Sequence, residues 1–164
     1  MQVSQKQMLE HFLPIFKSQG KQYLKTSLIK AKKAVEGETV FTKTSDGIET
    51  KNTAQKGDYL VENQTSSSEL YLVRENSFEK RYEMKEALEK GWATYQSKIT
   101  IWAIEISEKD ISDLGKNEEI CFEASWGESM ILKPGDFLVT SPDFDEVYRI
   151  ARKEFGETYR LFSS

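Results

Sequence analysis

Two residue types on which nucleophilic and metal chemistry most often rest are nearly missing, for the chain has one cysteine, Cys121, and one histidine, His11. A lone cysteine closes no internal disulfide, which agrees with a reducing compartment. Its setting, Glu119-Ile120-Cys121-Phe122-Glu123, reads as a strand carrying an ordinary packed thiol. One His and one Cys leave no standard zinc ligand set, and a Ser-His-Asp or Cys-His arrangement would hang on His11 alone. No catalytic residue, metal ligand or cofactor is assigned. Neither Gly-x-x-x-x-Gly-Lys-Ser/Thr nor Gly-x-Gly-x-x-Gly occurs, so phosphate-loop and dinucleotide readings lack their usual support. No apolar run approaches the ~20 residues that span a bilayer, and Gln2 to Glu10 is too polar for a secretory signal. The expectation is a cytoplasmic protein with no membrane partner.

What is present suits a folded, well-solvated domain: 38% hydrophobic and 12% aromatic residues against 30% charged. The net charge of −4 hides an asymmetry. Lys6, Lys17, Lys21, Lys25, Lys30, Lys32 and Lys33 face a single acid, Glu10, within the first 35 residues, so the rest of the chain is strongly acidic. Such a lysine-rich segment can contact nucleic acid, because phosphate binding scales with the number of cations that reach the backbone. Without arginine or an interleaved aromatic cluster, packing on an acidic surface or simple solvation is the preferred reading.

Laid on itself, the chain matches. Gly57-Asp58-Tyr59-Leu60-Val61 recurs as Gly135-Asp136-Phe137-Leu138-Val139. Beyond a loop one residue shorter in the second copy, Glu69, Tyr71, Phe78 and Tyr82 answer to Glu146, Tyr148, Phe155 and Tyr159. Upstream, Leu28-Ile29-Lys30-Ala31 resembles Thr100-Ile101-Trp102-Ala103. The pattern predicts an α+β protein of two similar small β-rich repeats with short helices, an N-terminal amphipathic helix and a connecting helix. Its parts are a helical extension (1–27), a first repeat (28–83), a helical connector (84–98) and a second repeat (99–164).

Alternation predicts strands at Glu38–Thr44 and Glu119–Ala124, and a hairpin in each copy from Tyr59–Glu62 with Glu69–Arg74 and from Phe137–Thr140 with Glu146–Ala151. Gly57 and Gly135 permit the turns, and Asp58 and Asp136 close them through side-chain bonds to the backbone. Phe78 with Tyr82, and Phe155 with Tyr159, stand four apart on short helical turns and read as core pairs. Met8, Leu9, Phe12, Leu13 and Phe16 follow a serine cap at helical spacing, with Pro14 expected to bend or end the helix. Met84–Tyr95, rich in Glu, Lys, Ala and Leu, reads as helix despite Gly91, with Trp92 and Tyr95 at the seam between copies.

The loops Lys56-Gly57-Asp58-Tyr59-Leu60-Val61 and Lys133-Pro134-Gly135-Asp136-Phe137-Leu138-Val139 carry a resemblance. With Ile29-Lys30-Ala31-Lys32, Trp102-Ala103, Asp46-Gly47, Trp126-Gly127 and the two Phe-x-x-x-Tyr segments, the chain resembles the PGDYG family of small bacterial and phage-associated domains, in two tandem copies. The first loop has Gln55-Lys56 where proline is expected, and neither loop ends in glycine. The resemblance implies a fold and no activity, since the family has none assigned.

By elimination the chemistry is recognition. A crevice between two copies would be lined by Tyr59, Tyr71, Arg81, Trp126, Tyr148 and Arg149, because tyrosine with arginine suits a stacked base, a phosphate or a carboxylate. The leading expectation is a non-catalytic binding module for a small anionic ligand such as a nucleotide. The alternatives are a protein-interaction or adaptor module using a strand edge or aromatic patch, and a metal-dependent hydrolase of nucleotides or nucleic acid built on Asp58 and Asp136.

Overall fold

The computed structural model describes residues 2–125 and 127–162. It is a mixed α+β protein whose sheets are antiparallel wherever their pairing is given below. In chain order the elements are α1 (Gln5–Gln19), β1 (Lys21–Lys25), β2 (Ile29–Lys33), β3 (Thr39–Thr44), β4 (Gly47–Thr53), β5 (Tyr59–Asn63), β6 (Leu70–Val73) and α2 (Glu75–Arg81). They continue as β7 (Tyr82–Ala87), a 3-10 turn (Glu89–Gly91), β8 (Ala93–Ser97), β9 (Thr100–Glu105) and α3 (Glu108–Asp113). The remainder is β10 (Ile120–Glu123), β11 (Ser129–Leu132), β12 (Phe137–Thr140), β13 (Val147–Ile150), α4 (Arg152–Thr158) and β14 (Tyr159–Leu161).

Contacts divide the chain into two compact units. The first holds Met1–Tyr23, Thr100–Phe155 and Leu161–Ser164; the second holds Leu24–Ile99 and Gly156–Arg160. One five-stranded sheet has the order β13-β12-β9-β1-β14, the other β6-β5-β2-β8-β7, and the hairpins β10-β11 and β3-β4 stand as separate two-stranded sheets.

In the first unit α1 starts at Ser4, whose hydroxyl accepts from Gln7 N (3.1 Å) while Gln7 Oε1 accepts from Ser4 N (3.0 Å). This reciprocal cap satisfies two of the free amides at the helix start. Met8, Phe12 and Phe16 are fully buried and pack with Ile104, Ile106, Ile111, Phe122, Met130 and Leu138. Pro14 neither ends nor marks the limit of α1, which runs on to Gln19. Buried side chains on both sides of the proline, Phe12 and Phe16, hold the helix through the lost hydrogen bond. Strand alternation is clean in β11, where Met130 and Leu132 are buried while Ser129 and Ile131 face outward. The second unit has a smaller core of Ile29, Ala31, Val61 and Phe78, with Tyr59, Tyr71, Val73, Tyr82 and Tyr95 packed around it.

The expected connecting helix over 84–98 is corrected by the structure. β7 and β8 pair as an antiparallel hairpin, Tyr82 opposite Ser97 and Met84 opposite Tyr95. Lys90 (φ 58°) and Gly91 (φ 83°) form the tight turn between them. Helix propensity of the Glu, Lys and Ala side chains is worth only a few tenths of a kcal/mol per residue, and the ladder of β2 beside β8 overrides it. The extension 1–27 is likewise not helical throughout, since Lys21–Lys25 is strand β1. Among the described residues no helix is long and apolar enough to cross a membrane.

Candidate functional site

Each five-stranded sheet has a tight turn before its β5 or β12 strand. At the first, Gly57 has φ 88° and Asp58 Oδ2 accepts from Gln55 N at 2.8 Å, while Asp58 N donates to Gln55 O at 3.0 Å. At the second, Gly135 has φ 92°, Asp136 Oδ2 accepts from Lys133 N at 2.8 Å, and Asp136 N donates to Lys133 O at 3.0 Å. Positive φ is what glycine supplies at no steric cost. Both carboxylates are then met by a guanidinium, from different strand positions. Arg149, opposite Leu138 in β13, donates through Nε (2.8 Å) and Nη2 (3.2 Å) to Asp136. Leu72 has the corresponding place opposite Leu60, and Arg74, two residues further on, bonds Asp58 instead. The pair in the first unit is sealed, with side chains 3% and 5% exposed, whereas Arg74 is 35% exposed.

Beyond each turn a stacked pair of rings is met edge-on by a tyrosine, and in the second unit Tyr82 also stacks on Phe78 (4.9 Å, 29°). In the second unit Tyr59 stacks on Phe78 (3.9 Å, 14°), and Tyr95 meets Phe78 edge-on (4.8 Å, 80°) and Tyr59 at 6.5 Å and 77°. In the first unit Phe137 stacks on Phe155 (3.9 Å, 8°), and Tyr23 meets Phe155 edge-on (4.9 Å, 75°) and Phe137 at 6.4 Å and 72°. Burial pushes the Tyr95 phenol above its usual range, helped by Tyr59 and opposed by Lys33. The Lys33 ammonium lies 4.1 Å from the centre of the Tyr59 ring and donates to Glu75 Oε2 at 2.7 Å. That hydrogen bond raises its pKa.

The most concentrated chemistry of the second unit gathers around Lys25, at the end of β1, which is 3% exposed. Its Nζ donates to Asn63 Oδ1 (2.6 Å) and to the Tyr71 hydroxyl (3.1 Å), and Tyr71 in turn donates to Asn63 Oδ1 (3.2 Å). The rings of Tyr71, Tyr82 and Tyr159 surround the ammonium with centroids at 5.6, 5.9 and 5.9 Å. Polar hydrogen-bond partners and aromatic faces stabilise a cation there, and none of these contacts is a carboxylate.

The structure distributes the expected ligand-binding residues unevenly. Tyr59, Tyr71 and Arg81 lie in the second unit, on β5, β6 and the last turn of α2; Tyr148 and Arg149 lie on β13 of the first. Trp126 is outside the described residues. Of this set, Tyr71 belongs to the Lys25 cluster, Tyr59 to the ring cluster and Arg149 to the buried ion pair. Lys25 and Asn63 were not singled out from the sequence: Lys25 is one lysine among seven near the start, and nothing local distinguishes the one that is buried. Among the described residues no group of three or more His, Cys, Asp or Glu side chains could hold a metal ion. No protein-family model matches the chain, and searches of curated proteins and of solved structures found no match.

Proposed function

We propose that this chain is a duplicated, non-catalytic binding module for a small anionic ligand such as a nucleotide, and that Lys25 supplies the charge that receives it. The observation that carries the reading is the buried Lys25 ammonium held by Asn63, Tyr71 and three tyrosine rings, with no carboxylate bonded to it among the described residues. A buried cation is costly until an anion or a dense set of dipoles meets it, and an incoming phosphate or carboxylate adds the missing countercharge. Tyrosine faces beside it suit a base or sugar ring. The duplication is supported by the matching ring clusters and by the common turn geometry at Asp58 and Asp136. The expected cytoplasmic location accords with a soluble metabolite as ligand.

A thermal-shift panel of nucleoside mono-, di- and triphosphates and inorganic phosphate, with and without magnesium, tests the reading. A ligand at a hundredfold excess over Kd stabilises by about 2.7 kcal/mol and should raise Tm by about 5 °C or more. Lys25→Met, of similar length and without charge, should keep the fold and abolish the shift. A flat response of the unaltered chain across the panel overturns the proposal.

A second reading, a protein-interaction or adaptor module, is favoured by the exposure of Phe41 and Ile48 on the β3-β4 hairpin and of Met84 on the edge strand β7. It expects a self-associated species or a co-purifying protein on sizing chromatography, lost in Phe41→Ser. The hydrolase reading is not adopted, because the carboxylates of Asp58 and Asp136 already hold amides and guanidinium groups.

A further inference from the structure

The strand orders contain a crossing that the binding reading does not use. Tyr95 lies 72 positions after Tyr23, and the same interval separates Ile101 from Ile29 and Ala103 from Ala31. On this spacing β1 leads into β2 as β8 leads into β9, so each copy of the module begins with its own leading strand. In neither sheet does that leading strand lie beside the strand it introduces. β8 is hydrogen-bonded between β2 and β7, and β1 between β9 and β14. The rings follow the strands: Tyr95 completes the cluster of Tyr59 and Phe78, and Tyr23 that of Phe137 and Phe155, with edge distances of 4.8 and 4.9 Å.

We infer that the place between β9 and β14, and that between β2 and β7, are strand-acceptor sites whose partner is the tyrosine-bearing leading strand of another copy of the same module. In this chain the two copies fill each other's site. The inference rests on the duplication proposed above and is independent of any ligand. Recognition is by ladder hydrogen bonds along an inserted strand, with specificity from one ring fitting edge-on against a stacked pair. A lone copy would leave its sheet open in the middle, and would require a second copy to close it.

The test is made on the full chain, with a protease site inserted between Lys90 and Gly91 in the β7-β8 turn and then cut. The expected result is that the two pieces stay together on sizing chromatography and part only in denaturant. Tyr95→Ala and Tyr23→Ala should each make the cut chain dissociate at protein concentrations at least tenfold higher than the unaltered cut chain. The α1 helix also tethers the pieces, so Phe12→Ala is made in parallel, and Tyr95→Ala, remote from that helix in sequence, is the deciding variant. Pieces that separate without denaturant overturn the inference, as does a cut chain indifferent to Tyr95→Ala. If Tyr95→Ala acts and Tyr23→Ala does not, the exchange is one-way, which overturns the inference while leaving the duplication and the anion panel untouched. Circular dichroism of the uncut variants separates lost association from lost folding.

Discussion

The middle strand of each five-stranded sheet carries its side chains into different company. In the first unit, β9 presents Trp102 and Ile104 to the cluster that includes Met8, Phe12 and Phe16 of α1. In the second, the middle strand β2 carries half-buried Lys30 and Lys32 at the alternate positions to Ile29 and Ala31. Lys32 reaches over the Trp92 ring at 4.8 Å rather than under a helix. The other faces, by contrast, hold stacked ring pairs and edge-on tyrosines of nearly the same geometry. The face opposite the rings therefore differs between the sheets: it is covered by α1 over β9, and over β2 it mixes Lys30 and Lys32 with the buried Leu60 paired to Lys32. Lysine suits such a mixed face because its stem lies on apolar surface while the ammonium stays wet.

The comparison can be broken most decisively at α1. Phe12→Ala should cost about 3–5 kcal/mol in chemical denaturation, as for a fully buried aromatic, whereas Lys30→Ala or Lys32→Ala should change stability by less than about 0.5 kcal/mol. A loss of several kcal/mol from either lysine would mean that the second face is covered too. Next come the two ion pairs. Asp136→Asn removes a buried carboxylate from Arg149 and should cost about 3 kcal/mol, while Asp58→Asn should cost about 1–2 kcal/mol because Arg74 can turn to water. Equal losses would remove the distinction between sealed and open pairs.

Smaller effects sharpen the likeness instead. Tyr23→Leu and Tyr95→Leu each lose an edge-on ring contact and should cost about 0.5–1.5 kcal/mol, to within a few tenths of one another. The smallest effect is a pH effect. Because the folded state holds the Tyr95 phenol above its ordinary value of 10.0, its contribution is fully present below that value and is lost as pH rises through the folded-state pKa. Tyrosinate absorbance should show a late-titrating group that Tyr95→Phe deletes, and the variant should lose less stability at alkaline pH.

Much of this fold can be read from pattern, and the failures have physical causes. The α1 helix is announced by Ser4, Gln7 and the spacing of Met8, Phe12 and Phe16. The β5-β6 and β12-β13 hairpins follow from their Gly-Asp turns and alternating apolar residues. Met84–Tyr95 misleads because an edge strand is wet on much of its surface, so β7 can be built from Glu and Lys that also favour helix. β1 is hidden for a related reason, with lysine at both ends of five residues and only Tyr23 and Leu24 to mark it. The short helix α3 was overlooked although Ser107 and Asp110 form a capping box that the sequence displays. Of the candidate site, Tyr59 and Tyr71 were reachable because tyrosine with arginine suits a stacked base or an anion. Lys25 was not, since burial of one lysine among many is decided by strands far along the chain.

That dependence on distant strands also governs how the molecule is made. β1 is made before both of its neighbours, which begin at Thr100 and Tyr159, so its seat is incomplete until Tyr159–Leu161 has been added. The nascent chain must carry an unpaired strand across that whole interval, and closing so long a loop slows the final step. A chaperone that shields residues 21–25 would act on the one strand that has longest to wait.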